Sequence, residues 1–213
     1  MRETVLCKIC EKRRARRACP AVHGDICTLC CGAEREVSLS CPLECEYLRE
    51  AHLREEPVDL LQQKIPNADI EVTEEFLESR DELLAFCVYA LLGAALRTEG
   101  AVDTDVIDAL EALIQTRRTL NSGLIYETRA HNHIALAVQS SFEDSLKDYQ
   151  KMKEERDVLS PVRNSDVLTI LVFLHRVGQV NQNGRPRGRM YVDLLRKMSP
   201  AAEAKDSAPS IIL

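Results

Sequence analysis

The sequence predicts a mainly α-helical protein with a small cysteine-rich finger at its N-terminus, built around two zinc ions. Three observations lead there. Eight of the nine cysteines fall between Cys7 and Cys45. Leu, Ala and Glu are plentiful while Gly and Pro stand at eight each, a balance that favours helix over sheet. From about residue 73 onward, apolar side chains recur with the three-to-four spacing of buried helix faces.

The bulk composition sets the limits. The chain has 213 residues, 45% of them hydrophobic and 29% charged, which suits an ordinary water-soluble fold. Aromatic residues make up 4% and Trp is absent, so the core must be aliphatic. No run of eighteen apolar residues exists to span a bilayer, and MRETVLCKIC lacks the apolar core of a secretory signal. A cytoplasmic location is therefore expected. There, dense cysteine points to metal binding or redox chemistry rather than disulfides.

The finger is predicted over residues 1–54, and its cysteines pair by spacing. Cys7-x-x-Cys10 and Cys27-x-x-Cys30 are turns of the kind that converge two sulfurs on one tetrahedral ion at about 2.3 Å. Together they make one four-thiolate set. Cys19, Cys31, Cys41 and Cys45 remain and make a second. The Cys30–Cys31 doublet then has a purpose, because adjacent side chains diverge and can serve different ions. His23, four residues after Cys19, is the alternative eighth ligand; the all-cysteine assignment is preferred because it leaves no spare thiol. A segment of this size buries too little apolar surface to fold unaided, and bound zinc can contribute about 10–16 kcal/mol of folding energy. Closed four-thiolate sites are structural, so catalysis is not expected of them.

The interleaved cysteine order, ending in Cys-x-x-x-Cys before EYLREAH, resembles cross-brace and treble-clef fingers of the HIT, MYND and B-box kind. It differs from them in lacking their closing histidine spacing. The stretch CPAVHGDICTLCCGAEREVSLSCPLECEYL is also similar to an N-terminal element of a set of bacterial proteins. The finger resemblance implies two zinc ions and a surface offered to protein partners.

Charge suggests a rival. The net charge of −6 opposes binding of nucleic acid by the whole surface, yet five cations crowd Lys12 to Arg17. Arg13, Arg14, Arg16 and Arg17 could contact phosphates, or could instead balance the formal −2 of each zinc bound by four thiolates. No aromatic residue lies among them to stack on bases. A second basic run, Gly184-Arg185-Pro186-Arg187-Gly188-Arg189, is similar to an AT-hook core with altered order. Its alternative is a loop packed on acids or on the finger.

After a linker at 55–72, the helical domain is expected over 73–198 and a disordered tail over 199–213. A central helix is expected from Thr73 to Thr98, with Cys87 in the core. A second, capped by Asp103 or Thr104, should run to Leu120. A third should span Leu124 to Asp157, its polar last turns projecting from the body. A fourth, capped by Ser165, should be closed by Gly178, and a last should run Met190–Met198. His131 and His133 point apart and cannot chelate together, and His175 reads as a core or capping residue. No nucleophile motif, phosphate loop or carboxylate pair is present. The sequence thus predicts a non-enzymatic adaptor or regulator acting through a protein partner. A nucleic-acid-binding regulator and a thiol–zinc redox sensor are the alternatives.

Overall fold

In the computed structural model, residues 5–55, 65–123, 126–156 and 161–199 are described. The predicted class holds: a two-stranded antiparallel sheet lies near the N-terminus and the rest of the regular structure is helical. No helix among the described residues is long and apolar enough to cross a membrane.

The finger begins with the Cys7–Cys10 turn and a hairpin. Strand β1 (Arg17–Cys19) pairs with β2 (Gly24–Ile26), Arg17 opposite Ile26 and Cys19 opposite Gly24. A single 3-10 turn, Pro20–Val22, joins them, and His23 closes it in the left-handed region (φ 48°). Helix α1 (Thr28–Glu34) starts at Cys27, whose sulfur accepts the Cys30 N–H at 3.4 Å. Helix α2 (Glu46–His52) closes the finger.

Residues 73–98 do not form one helix. Helix α3 (Glu74–Ser79) is capped by Thr73 Oγ1 accepting from Phe76 N, and α4 (Asp81–Arg97) restarts after Arg80. At the break, Asp81 Oδ1 accepts the Glu82 N–H at 2.7 Å, and Arg80 reaches Asp166 at 2.9 Å. An Asp that can cap locally competes with helix continuation, and a long-range ion pair favours the break here.

Helix α5 (Asp103–Asn121) follows, with Asp105 accepting the Val102 N–H at 3.1 Å. Neither Asp103 nor Thr104 caps it. The Asp103 carboxylate turns away to accept Tyr191 N and Val192 N, each at 3.0 Å. It therefore serves the N-terminus of α8 (Met190–Met198), 88 residues away.

Helix α6 (His133–Arg156) begins nine residues later than its periodicity suggested; residues 124–125 and 157 of the predicted span lie outside the described residues. The buried Gln139 amide explains the delay, accepting from Ala130 N and donating to the Thr128 carbonyl. That bonding holds the preceding non-helical segment, and Asn132 Oδ1 then starts the helix by accepting Ala135 N at 2.8 Å. The polar end of α6 is tied down as far as Lys153, and only Glu154–Arg156 are left exposed beyond it. Tyr149 stacks on Phe86 at 4.0 Å, and Lys153 reaches Glu82 at 2.6 Å.

Helix α7 (Asn164–Val180) starts at the Arg163–Asn164 boundary, so Ser165 lies inside its first turn, and it continues past Gly178. Gly178 is a packing position instead. A Cβ there would stand 2.8 Å from the Tyr191 ring, which is fully buried and donates to the Leu174 carbonyl at 2.8 Å.

Helices α4 to α8 share one aliphatic core around Leu91, Leu110, Leu113, Phe142, Leu171 and Tyr191. Cys87 is buried in it, and burial pushes its thiol up to about 12, an inert core residue. Cys41, Leu43 and Leu48 of the finger belong to the same core, whereas Cys7, Ile26, Cys27, Cys30 and Cys31 form a separate small cluster.

A buried ionic network ties the two parts together. His52 Nε2 stands 3.1 Å from both oxygens of Glu36, and its Nδ1 faces Asp193 at 3.5 Å. These three residues are 6%, 0% and 1% exposed. Asp193 also receives Arg196 and Lys197, while Glu36 accepts from Asn183 and from the Arg189 backbone N–H. Burial alone would lower the His52 pKa, but Asp193 and Glu36 outweigh it and raise it to about 9. Glu36 and Asp193 are both held below the usual carboxylate range, burial being overcome chiefly by His52.

The raised value fixes a sign. The imidazolium stabilises the fold fully below pH 6.5, its unperturbed value, and that contribution is lost as pH rises through about 9. With zinc supplied, the thermal midpoint should fall between neutral pH and about pH 10, and His52→Asn should flatten that slope. The substitution should itself cost about 3–5 kcal/mol at neutral pH, because it strands two buried carboxylates. Circular dichroism melts across this range check both.

Candidate metal centre

The Cys7–Cys10 turn and the start of α1 bring four sulfurs together. Those of Cys7, Cys10, Cys27 and Cys30 all lie within 4.8 Å of one another. Ligands of a tetrahedral zinc at 2.3 Å stand about 3.8 Å apart, so the donor set fits one zinc ion. Local geometry explains the convergence. The Cys7 carbonyl accepts Glu11 N at 2.8 Å, tightening the first turn, and Glu11 takes a left-handed φ of 53°.

The surroundings favour thiolate. Burial pushes the Cys7 thiol up, but the N–H groups of Cys10, Cys27 and Ile9 outweigh it and bring it to about 6. The N–H groups of Lys12 and Arg13 lower Cys10 likewise. Cys30 is driven the other way, to about 12, first by the neighbouring Cys27 sulfur and then by burial. Four sulfurs this close cannot all ionise unaided, and a divalent ion removes that conflict by deprotonating its ligands outright. The Arg13 guanidinium bonds Cys27 and feels Cys10 and Cys30, which raises its own pKa.

The second predicted set is brought together more loosely. Cys19, Cys31, Cys41 and Cys45 all line one enclosed space of about 10 Å³, with Arg17, Arg35 and Tyr47 around it. Among the described residues, their sulfurs do not meet the spacing that the first set meets. Burial pushes the Cys41 thiol up, partly offset by the Glu36 N–H, and both Cys45 and Cys19 are close enough to add to the rise. Cys31 Sγ accepts from Arg17 Nη1 at 3.2 Å, and Arg35 Nη2 stands 3.9 Å away. His23 is not among the residues lining this space.

One further group meets the spacing criterion: Glu36, His52 and Glu55. Asn183 Nδ2 sits between its carboxylates, donating to Glu36 at 2.8 Å and to Glu55 at 3.0 Å, and Arg185 pairs with Glu55 at 3.1 Å. Protein donors thus occupy the place a cation would take. Sequence reasoning did not single out these residues. Glu36 and His52 carry no spacing signal, and Asn183 lies 147 residues from Glu36.

The basic runs are engaged in part. Arg13 faces the first sulfur cluster, and Arg17 lies between Cys31 and the Tyr47 ring, 4.5 Å from its centroid. Arg14 and Arg16 line an open groove with Val5 and Asp25. In the loop after α7, Arg185 donates to the Arg35 carbonyl at 3.0 Å, and Arg187 bonds the Glu36 carbonyl through its backbone and Ser40 through its side chain. The loop similar to an AT-hook therefore packs on the finger. His131 is paired with Asp108 at 3.0 Å and His175 with Glu111 at 3.4 Å, away from both sulfur sets.

Comparison with protein-family models, with curated proteins and with solved structures gave no match.

Replacing Cys10 by Ser should remove one bound zinc per chain. It should also release the amides of β1, β2 and α1 to rapid exchange while those of α4 to α7 stay protected. Elemental analysis with hydrogen-exchange mass spectrometry reads both effects.

Proposed function

We propose that this protein is a non-enzymatic adaptor or regulator, in which a two-zinc finger of the treble-clef kind offers a protein-binding surface on a helical platform. The observation that carries this reading is the convergence of Cys7, Cys10, Cys27 and Cys30, with large apolar side chains left outside it. Leu6 precedes the first ligand turn, Ile9 lies within it and Leu29 lies within the second, and they are 53%, 36% and 62% exposed. Apolar side chains displayed on a metal-rigidified turn suit partner recognition, because little entropy remains to be lost on docking. The order of ligand turn, hairpin and ligand-bearing helix supports the treble-clef assignment.

The second ion belongs to the same reading. Cys19, Cys31, Cys41 and Cys45 surround a space of ionic size, and Arg17 and Arg35 would offset the charge of a four-thiolate centre. Drawing these sulfurs inward by a small amount is the ordinary consequence of metal binding to a partly formed site. Such an ion would join β1 and α1 to the Cys41 loop, and so to the bundle core. All-thiolate coordination leaves no open position for substrate, which favours a binding role over catalysis.

Metal content tests the ligand assignment. The full chain should carry two zinc ions; Cys31→Ser should retain one, and His23→Ala should retain both. Retention of two by Cys31→Ser with loss of one by His23→Ala would reverse the assignment. For the surface, a photo-crosslinking residue placed at Leu29 should give one discrete protein adduct in cells. The adduct should disappear when Cys10→Ser is added, whereas the same probe at exposed Tyr89 on α4 should not give it.

A further inference from the structure

Between the finger and the bundle runs a cleft of about 370 Å³, within the range of small-molecule sites. Ser40 and Pro42 form one wall, the turn from α4 to α5 forms the other with Leu96 and Ala101, and Arg187 and Arg189 close its floor. Arg189 is the informative residue. Its backbone N–H is fixed by Glu36 at 2.7 Å, but its guanidinium has no hydrogen-bond or ion-pair partner among the described residues. The Nε is buried with nothing to receive its proton. Burial, the larger influence, lowers the Arg189 pKa despite the nearby acids.

Those acids are already committed. Asp103 accepts two amides of α8, Glu36 is bound by His52 and Asn183, and Glu44 lies 3.8 Å from Arg196. Arg187 bonds Ser40 through one nitrogen. Glu99 is the one acid on the lining, and it is exposed. A half-buried guanidinium without a partner is costly, and its planar fork matches an oxyanion side-on. Each wall adds apolar surface, Leu96 half exposed on one and Pro42 on the other.

We propose that this cleft binds a small organic anion, its carboxylate or phosphate head held by Arg189 and Arg187 and its apolar body lying against Leu96 and Pro42. The site is independent of the partner surface around Leu29. It would make the junction of finger and bundle a point at which a small molecule stabilises one relative placement of the two, since both contribute walls.

Hexanoate and hexyl phosphate are suitable probes, and the two arms distinguish the head groups. In low-chloride buffer, either should shift the Arg189 Nε–Hε resonance saturably, and isothermal titration calorimetry should give the affinity of wild type and variants alike. Arg189→Gln should weaken binding about 10–100-fold, as loss of a charge-assisted hydrogen bond does. This variant keeps the backbone N–H that Glu36 accepts, so the fold should persist; unchanged zinc content and melting verify that. Leu96→Ser should weaken both probes without affecting inorganic phosphate. Absence of a saturable shift through the millimolar range, or equal affinity in wild type and Arg189→Gln, would overturn the proposal while leaving the metal assignment standing.

Discussion

The carboxylate of Glu36 is the point on which the arrangement of this molecule depends. It is fully buried, yet every direction around it is used: His52 from α2, Asn183 and the Arg189 amide from the loop before α8, and its own N–H turned to Cys41. A buried charge with fewer partners would destabilise the fold by several kcal/mol. Glu36 also sits at a left-handed φ of 54°, a conformation that a non-glycine residue keeps only when its surroundings demand it. The ion network therefore sets how the finger meets the bundle, rather than merely filling space between them.

Two kinds of cohesion meet at that point. The N-terminal half of the finger has little to bury beyond Ile26 and its own cysteines, so sulfur chemistry must organise it. The later part, through Cys41, Leu43 and Leu48, has joined the aliphatic core of α4 to α8. The cysteine-rich segment is thus not an independent bead on a string; its second half is a corner of the bundle. Cys41 belongs to both regimes, lying in the apolar core and lining the second sulfur-bounded space.

Charge placement follows the same logic. The arginines of the first basic run turn toward sulfur, Arg13 to Cys27 and Arg17 to Cys31, as cations beside concentrated thiolate should. In the second run, Arg185 and Arg187 bind finger carbonyls and Ser40. A cluster of cations in a sequence is equally compatible with a phosphate partner and with internal anions. Here internal sulfurs and Glu55 engage Arg13, Arg17 and Arg185, while Arg14 and Arg16 stay exposed.

What the sequence determined by itself was short-range. Cys-x-x-Cys spacing identified the four sulfurs that converge, apolar periodicity identified the helical body, and Met190–Met198 was delimited correctly because its signals are local. The break at Arg80, the late start of α6 and the true role of Asp103 were decided by tertiary structure. Each depends on a partner that helix periodicity does not reveal: Asp166 for Arg80, the buried Gln139 amide for Thr128 and Ala130, and the α8 amides for Asp103. Asp103 shows why most plainly. Its position beside Thr104 reads as a local cap, and nothing nearby in sequence says that another helix end will compete for its carboxylate and win. Glu36, His52 and Asp193 were illegible for the same reason. An isolated acid or histidine acquires a role only when folding removes its water and supplies a specific counterpart.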